Sequence, residues 1–269
     1  MPVSGMPRRL RRAIVLLAVA LLALTTITAA SAQTGMPDAI TNEGDKIHDL
    51  WLFTLAIAVI VFVGVESAIV YVIFAFRRKN DELPKQTHGS TLVEIIWTTI
   101  PVVIVVALFT YSFIVLRDVE NTAQDDALTV HVQGFQFQWG FTYDMNDLGK
   151  NTPDRNAKGQ ISILGTPENE PTLVIPVDEP VEFKLFSADV IHSFYIRDFL
   201  YKLDVVPGRD NKFVVTPHTT GTFHGQCAEL CGLNHALMRF QVKVVTRAEF
   251  DQWVAENAPK SDTAVQKAQ

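Results

Sequence analysis

The chain has 269 residues, of which 48% are hydrophobic, and its formal net charge at pH 7 is −6. The acidic balance argues against a nucleic-acid-binding protein, because such proteins carry a basic surface that neutralises phosphates. The apolar residues are concentrated before position 118, which predicts a membrane-embedded first part and excludes a wholly soluble protein.

Residues 1–32 have the pattern of a secretory signal peptide. Four arginines between positions 8 and 12 precede the apolar run Ala13–Leu24, and Ala30-Ser31-Ala32 provides a small-residue cleavage site. We expect cleavage before Gln33, which would remove the four arginines and change the net charge to −10. The alternative is an uncleaved third helix, because small and apolar residues continue as far as Ala30.

Two apolar runs then predict a transmembrane helix hairpin over residues 51–117. Trp51–Phe76 and Leu92–Leu116 each exceed the roughly 20 residues that a helix needs to cross a bilayer. The connection between them carries four basic residues between positions 77 and 85, whereas Gln33–Leu50 contains one, Lys46. The positive-inside rule therefore places the connection in the cytoplasm, and residues 33–50 form an external N-terminal segment.

Residues 118–256 predict an all-β domain. Short alternating segments separated by turn residues replace the long apolar runs. Six to nine such strands without intervening helices predict an antiparallel sandwich with Greek-key connections. The clearest strands are Leu128–Gln133, Thr172–Ile175, Val181–Phe186, Lys212–Thr216 and Arg239–Val245.

The remaining parts of this region are predicted from local composition. Asn146–Gly159 is polar and rich in turn residues, so we expect a surface loop. Thr246 and Glu249 form a capping-box pattern that opens a short helix ending at Glu256, and residues 257–269 predict a disordered tail. From position 118 onward there are 13 basic and 21 acidic residues, a charge of −8 that would attract a basic soluble partner.

The segment Cys227–Met238 has the composition of a soft-metal site. It places both cysteines of the chain, His235 and Met238 within twelve residues. Sulfur and imidazole ligands favour copper or zinc over magnesium or calcium. The alternative is a disulfide between Cys227 and Cys231, because an external compartment oxidises thiols, although so short a loop limits what the bond could stabilise.

A further ligand is expected at the end of a strand, because a sandwich gathers loops from distant strands at one end. His192 follows the predicted strand Val181–Phe186 and has apolar and aromatic neighbours. A mononuclear blue-copper site needs one cysteine, so the second cysteine favours two copper ions bridged by both thiolates. His192 and His235 would supply one imidazole to each ion, with Met238 and a loop carbonyl as weaker ligands. Zinc competes, but a structural zinc site has no use for Met238.

The stretch Gly225–Met238 reads GQCAELCGLNHALM. Together with the helix hairpin, it gives nearly the whole mature chain a strong resemblance to subunit 2 of the haem-copper cytochrome c oxidases. The resemblance implies a cupredoxin-like Greek-key sandwich that carries a dinuclear copper A centre.

The resemblance also implies the ligands of that centre. They are His192, Cys227, Glu229, Cys231, His235 and Met238. Both thiolates would bridge the two coppers, His192 and Met238 would complete one of them, and His235 with the backbone carbonyl of Glu229 would complete the other. The carboxylate of Glu229 would reach a magnesium ion at the interface with subunit 1.

Two glutamates of the hairpin are candidates for other roles. The stretch Glu94–Pro101 resembles the family's Glu-x-x-Trp-Thr motif with a following proline, which implies that Glu94 lies at the cytoplasmic entrance of a proton pathway into subunit 1. From the residues alone, a solvated interfacial glutamate fits equally well. Glu66 lies well inside the first apolar run, where an unpaired charge is costly, so we expect it to be protonated or paired with a neighbouring subunit.

The aromatic stretch Gly134–Tyr143 resembles the region of the family where electrons from cytochrome c enter. The family commonly has Trp-x-Trp here, and this chain has Phe137 at the first position and Trp139 at the second. Phenylalanine lacks the indole, which implies a difference in the docking surface or in the donor. A strand of alternating aromatic core residues fits the same pattern.

The resemblance implies an electron-transfer subunit that passes electrons from a soluble or membrane-bound cytochrome c to haem in subunit 1. Oxygen reduction, coupled to proton translocation, would take place in subunit 1. The implied partners are subunits 1 and 3 and the lipid bilayer of a bacterial-type cell membrane, with the C-terminal domain on the external face. A membrane-tethered copper chaperone is the alternative class, but it predicts a βαβ pattern around the cysteines, and here the cysteines follow strands.

Overall fold

A computed structural model describes residues 36–78, 86, 88–120, 126–144, 159–166 and 168–259. The predicted signal peptide, most of the predicted loop Asn146–Gly159 and residues 260–269 lie outside these ranges. The chain forms two compact units. One comprises Met1–Pro37 and Trp51–Leu108, and the other comprises Asp38–Leu50 and Phe109–Gln269.

Two long helices occupy the positions of the predicted hairpin. Helix α1 spans Asn42–Ala75 and helix α2 spans Thr91–Val119, with Pro101 inside it. Both are long and apolar enough to cross a bilayer, and most of their large apolar side chains are exposed. The prediction of two apolar helices is therefore confirmed.

Helix α1 begins at Asn42, well before the predicted start at Trp51. Thr41 stabilises this earlier start. Its Oγ1 accepts a hydrogen bond of 3.0 Å from the backbone N–H of Gly44 and so caps the first helical turn. Acidic residues in that turn, Glu43 and Asp45, also favour the positive end of the helix dipole. The polar residues that precede the apolar run are therefore part of the helix.

The C-terminal unit is a sandwich of two five-stranded sheets. The first sheet has the order β3-β2-β1-β5-β8 and the second has the order β4-β10-β9-β6-β7. The strands are β1 Leu128–Phe135, β2 Gln138–Asp144, β3 Gln160–Leu164, β4 Thr172–Pro176, β5 Val181–Ser187, β6 His192–Ile196, β7 Tyr201–Val205, β8 Asn211–Val215, β9 Gly221–Cys227 and β10 Arg239–Val245.

The expectation of a purely antiparallel sandwich is wrong for two strand pairs. Strand β1 is parallel to β5, and β10 is parallel to β4, whereas the other pairs are antiparallel. In each case the parallel partners are separated by long stretches of chain, so the connection can cross over. The sandwich itself is confirmed, with ten strands in the described residues.

The core lies between the sheets and is rich in aromatic rings. Phe194 and Phe240 stack with their centroids 4.9 Å apart and their planes 7° apart. The indole of Trp139 packs edge-on against both rings, at 5.4 and 5.7 Å. All three side chains are buried, so strands of both sheets share one aromatic cluster.

A tyrosine also ties the two sheets together. The hydroxyl of Tyr143 on β2 donates to the carbonyl of Val174 on β4 and accepts from the N–H of the same residue, both at 2.9 Å. Burial raises the pKa of this phenol far above its ordinary value, so it stays protonated and able to donate. The backbone groups of Val174 are thereby satisfied at an edge strand.

The predicted capping box and terminal helix are confirmed. Helix α3 spans Arg247–Asn257, and the Thr246 hydroxyl and the Glu249 carboxylate each pair with the backbone N–H of the other residue. Phe250 is fully buried, and Trp253 packs edge-on against the ring of Tyr143 at 5.0 Å. The helix covers one end of the sandwich core.

The segment Asp38–Leu50 packs on the sandwich. The Ile40 N–H donates to the carbonyl of Asp198 at 3.0 Å, and the Ile40 side chain is buried. The Glu43 carboxylate accepts a hydrogen bond of 2.8 Å from the N–H of Thr216. The segment that leads into α1 is therefore part of the folded domain, which the sequence pattern did not indicate.

Candidate metal centre

The cysteine segment is a loop between two paired strands of the second sheet. Cys227 ends β9, and Met238 directly precedes β10. The Cys227 N–H donates to the Met238 carbonyl at 2.9 Å, so the two ends of the loop are held together. His192 begins the neighbouring strand β6, and Phe194 of β6 lies opposite Cys227. The topology thus brings His192 beside a loop that lies 35 residues further along the chain.

Three of the predicted ligands form a compact buried cluster. The ligand atoms of His192, Cys227 and Cys231 all lie within 4.8 Å of one another. The two Sγ atoms are 3.9 Å apart, and both cysteines are free. A disulfide has a sulfur–sulfur distance of about 2.05 Å, so the thiols are in contact without a bond.

The other predicted ligands surround this cluster. His235 Nδ1 lies 3.6 Å from Cys231 Sγ, and Met238 Sδ lies 3.8 Å from the same sulfur. The backbone carbonyl oxygen of Glu229 lies 3.3 Å from Cys227 Sγ, and His192 Nδ1 lies 3.8 Å from it. The structure therefore brings the six predicted copper ligands together around two sulfur atoms.

The donor set fits a pair of copper ions. Two thiols, two imidazole nitrogens, a thioether and a carbonyl oxygen converge in a largely buried space, and soft sulfur with imidazole is the set that copper prefers. A single tetrahedral zinc would use the thiols and imidazoles but would leave the buried Met238 sulfur without a role.

Asp189 is a site residue that sequence reasoning missed. Its Oδ1 lies 2.8 Å from His192 Nε2, which directs the opposite ring nitrogen, Nδ1, towards Cys227. Its carboxylate also accepts hydrogen bonds of 2.6 Å from the N–H groups of Gln136 and Val190. A carboxylate that orients a ligand histidine is a common feature of metal sites, and its position three residues before His192 is the sequence signal.

Asp189 and His192 each favour the charged form of the other. Burial raises the pKa of the Asp189 carboxyl, but hydrogen bonds from His192 and from the backbone of Gln136 lower it by more. Burial lowers the pKa of His192, but Cys227 and Asp189 together raise it. The carboxylate therefore stays ionised and holds the Nε2 proton of the ring.

The two thiols differ in acidity. Burial raises the pKa of Cys227, yet hydrogen bonds with His192 and with the backbone of Glu229 and Ser193 lower it below its ordinary value. Burial and then the charge of the Cys227 thiolate raise the pKa of Cys231. Without a metal, the pair therefore loses its first proton easily and its second with difficulty.

The turn between β1 and β2 packs against the cysteine loop and forms a hydrogen bond with it. The Gln136 side-chain amide donates to the Cys231 carbonyl at 2.6 Å. Phe137 and Gln136 lie over Gly232, where an added Cβ would come within 2.9 Å of the ring and 3.0 Å of the amide nitrogen. Gly232 also has a φ of +140°, a conformation that favours glycine. The aromatic turn and the cysteine loop are thus fitted to each other.

The two residues expected to admit electrons occupy different environments. Phe137 is half-buried against Gly232 of the cysteine loop. Trp139 is fully buried, packs edge-on against His192 at 6.1 Å, and its Nε1–H lies 3.4 Å from the Met238 carbonyl. Since Trp139 does not reach the surface, it cannot touch a docked protein, and any part it has in electron transfer is indirect.

The remaining predicted residues are not in the cluster. Glu229 is exposed, although its backbone carbonyl belongs to the cluster. Glu94 lies in the first turn of α2 and Glu66 lies in the middle of α1, both with exposed side chains. The surface beside the cluster is apolar, since Leu230, Leu233 and Leu237 are 78%, 95% and 63% exposed.

Comparison with known proteins gives matches over nearly the whole chain. The family model for the cytochrome c oxidase subunit II periplasmic domain matches residues 128–245, and that for the transmembrane domain of the same subunit matches residues 29–115. A probable cytochrome c oxidase subunit 2 from Streptomyces avermitilis is 37% identical, covering 96% of this chain and 91% of the relative. One from Rickettsia bellii is also 37% identical, covering 80% of each chain.

Among solved structures, the periplasmic domain of subunit II of cytochrome oxidase from Bradyrhizobium japonicum is similar. It is 33% identical and covers 51% of this chain and 96% of that domain, with a TM-score of 0.42.

Proposed function

We propose that this chain, which belongs to the cytochrome c oxidase subunit II family, accepts electrons from a cytochrome c at a dinuclear copper centre and passes them to haem in subunit 1. The observation that carries the proposal is the convergence of two free thiols, two imidazoles and a thioether on one buried cluster. A copper pair held there would supply one-electron redox chemistry. Oxygen reduction and proton translocation would belong to subunit 1.

The proposed ligand roles are those that the family resemblance implies. Cys227 and Cys231 would bridge both ions, because their sulfur atoms are neighbours at the centre of the cluster. His192 with Met238 would complete one ion, and His235 with the Glu229 carbonyl would complete the other. Each imidazole presents Nδ1 to a sulfur, at 3.8 and 3.6 Å, which supports these two histidines as ligands.

The surroundings of the cluster would keep its geometry fixed while electrons pass. Asp189 holds the His192 ring, and Gln136 holds the Cys231 carbonyl. Trp139 packs beside His192 and lies within reach of the Met238 carbonyl. Ligands that are fixed by neighbours move little when the charge of the site changes, and burial excludes water.

The exposed leucines of the cysteine loop support the proposal that a partner protein binds beside the metal centre. Leu230, Leu233 and Leu237 project from the cysteine loop itself, and clustered exposed leucines are typical of interaction surfaces. We assign this surface to partner subunits of the oxidase. The net negative charge of the domain would attract a basic cytochrome c to the domain.

The finer assignments are proposals of the same kind. Phe137 packs against Gly232 of the cysteine loop and is the candidate for receiving electrons at the surface, with the buried Trp139 next along the chain on β2. The exposed Glu229 carboxylate is free to bind magnesium at the interface with subunit 1. Glu94, exposed at the start of α2, is the candidate for the proton-pathway entrance.

The membrane arrangement is inferred from the sequence and the two helices. We propose a signal peptide over residues 1–32, an external segment over 33–50, a membrane hairpin over 51–117 and an external copper domain over 118–256, followed by a tail over 257–269. The two apolar helices and the family of the β domain support a membrane protein with an external C-terminal domain. Subunits 1 and 3 would complete the complex in a bacterial-type cell membrane.

Copper loading of the full chain tests the proposal. The chain is purified in detergent, reduced, loaded with copper, and examined for copper stoichiometry and by electron spin resonance. We expect two coppers per chain that share one unpaired electron. Met238→Leu should keep both coppers and shift the reduction potential, because the thioether is a weak ligand.

Matched variants separate ligands from other residues of the same type. His192→Ala should lose the shared-electron signal, whereas His131→Ala, a change at an exposed histidine on β1, should keep it. One copper per chain, bound zinc in preference to copper, or a Cys227–Cys231 disulfide in the loaded protein would contradict the proposal.

A further inference from the structure

A cleft of about 470 Å³ lies on the second sheet, and one of its lining residues, Phe223, also packs against the core. Tyr195 and Arg197 line it at and beyond the end of β6, and His224 and Gln226 line it on β9. None of the six proposed copper ligands lines the cleft. It is therefore a separate feature of the domain.

The strand register explains why these polar groups converge. Tyr195 lies directly opposite Gln226, and Ile196 lies opposite Gly225. Arg197 begins the 3-10 turn that follows β6 and lines the cleft together with His224. Side chains two residues apart on a strand point to the same face, about 7 Å apart, and neighbouring strands lie about 5 Å apart. A guanidinium, a phenol hydroxyl, an imidazole and a carboxamide are thus within reach of one small ligand.

The same face carries an unusual concentration of positive charge. Lys202 lies opposite Tyr195, Arg239 lies opposite Gln226, and Lys243 lies opposite Thr222, which also lines the cleft. Arg239 donates from Nε to the uncharged backbone carbonyl of Ala236.

Within the described residues, none of the four cations forms an ion pair with a carboxylate. The cations are Arg197, Lys202, Arg239 and Lys243. The acidic residues near them include Asp198 and Asp204, and Glu249 lies within range of the Lys243 charge, in a part of the chain whose overall charge is −8. A locally positive face on an acidic domain indicates an anionic ligand rather than a surface charged only for solubility.

We propose that this cleft binds a phosphate group attached to a small hydroxyl-bearing moiety, such as glycerol phosphate. Arg197 matches the geometry of a phosphate with its two parallel N–H donors, and Tyr195 and His224 can add further donors. Asp198, which also lines the cleft, supplies an acceptor for a ligand hydroxyl. The cleft is larger than a bare phosphate needs, which favours a substituted phosphate.

Two sources present this chemistry to the domain: a soluble organic phosphate and the headgroup of a glycerophospholipid. Calorimetric titration of the full chain in dodecyl maltoside, a detergent without phosphate, measures binding of glycerol 3-phosphate and of inorganic phosphate. We expect saturable binding that is tighter for glycerol 3-phosphate and that weakens as the salt concentration rises.

Arg197→Gln should weaken the affinity for glycerol 3-phosphate by about tenfold or more, because a hydrogen bond to a charged group is lost. Lys184→Gln is the matched control, since Lys184 is an exposed cation on β5 of the other sheet. Tyr195→Phe removes a hydroxyl alone and should give a smaller loss. Unchanged thermal unfolding of all three variants shows that the fold is intact.

Vesicles distinguish the two sources. Vesicles of phosphatidylglycerol and of phosphatidylserine have similar charge, but the first alone presents a glycerol headgroup. Weaker binding of glycerol 3-phosphate in phosphatidylglycerol than in phosphatidylserine would support the proposal with the lipid as source, and equal binding would support it with a soluble source. Absence of saturable binding in detergent, equal affinity of Arg197→Gln and the unchanged chain, or binding of a glutamate-rich peptide alone would overturn it.

Discussion

Gly232 is the point where the cysteine loop and the aromatic turn meet, and replacing it with alanine tests whether their fit matters for the metal site. The backbone there has a φ of +140°, and the new Cβ would lie 2.9 Å from the Phe137 ring and 3.0 Å from the Gln136 amide. Such contacts are too short for a Cβ, so either the ring and amide or the loop must move.

The structure provides a control for the backbone part of this effect. Gly208 also has a positive φ, +75°, but an added Cβ there has no atom within 4 Å. Gly208→Ala therefore introduces strain alone, about 1–2 kcal/mol, partly offset by about 0.4–1 kcal/mol from the stiffer unfolded chain. Gly232→Ala adds overpacking of about 1–3 kcal/mol, and its φ of +140° lies further from the left-handed region that L residues adopt, so it should destabilise the chain by at least that much more than Gly208→Ala does.

The assay is guanidinium unfolding of the metal-free full chain in detergent, followed by near-ultraviolet circular dichroism, with copper uptake measured on the folded variants. We expect Gly232→Ala to have the lower midpoint and the lower copper affinity, because Gln136 then no longer holds the Cys231 carbonyl. Equal midpoints for the two variants, or unchanged copper affinity for Gly232→Ala, would refute the idea that this contact shapes the loop.

Three further predictions concern other contacts of the domain. Asp189→Asn should keep copper bound but weaken the copper affinity by about 10- to 100-fold, because His192 loses the carboxylate that orients it. Competition with a chelator measures this affinity, and an unchanged value would show that Asp189 does not orient the ligand. Tyr143→Phe should lower the free energy of unfolding by about 1–3 kcal/mol, because the buried N–H and C=O of Val174 lose their partner; Tyr195→Phe, in the exposed cleft, is the control, and equal effects would contradict the argument. In the metal-free chain, the ultraviolet absorbance of thiolate should rise with pH in two well-separated steps, the first below the ordinary cysteine pKa. The first step should be absent in Cys227→Ser. A single step for both thiols would show that they titrate independently.

Much of the architecture could be predicted because the apolar periodicity is strong. The second apolar helix lies within a few residues of its predicted position, and the strand Arg239–Val245 and the capping box at Thr246 have the predicted positions. No bounds were predicted for strands such as β7 and β9, since Tyr201–Val205 contains exposed polar residues and Gly221–Cys227 contains exposed polar residues and two glycines. These strands are fixed by their neighbours in the sheet rather than by their own pattern.

The candidate site was predictable to a similar degree. The spacing of Cys227, Cys231 and His235 is local, so the sequence reveals it directly, whereas His192 had to be inferred from its place after a strand. Asp189 was overlooked although it lies only three residues before His192, whereas Gln136 could not be assigned, because it contacts Cys231, 95 residues away, only when the sheets have folded. Short-range motifs give the ligands, and tertiary structure gives what orients them.

The docking of Ile40 on the sandwich has a consequence for the order of folding. Ile40 and its contact region near Thr216 belong to one compact unit, yet both apolar helices are synthesised between them. The segment therefore leaves the ribosome before the hairpin and has no partner until the chain near Asp198 and Thr216 has been made. Contacts between such distant parts of a chain form late, so completion of this domain must follow synthesis of the hairpin. Substitutions at Ile40 would consequently impair the final step of maturation rather than the early formation of the sheets.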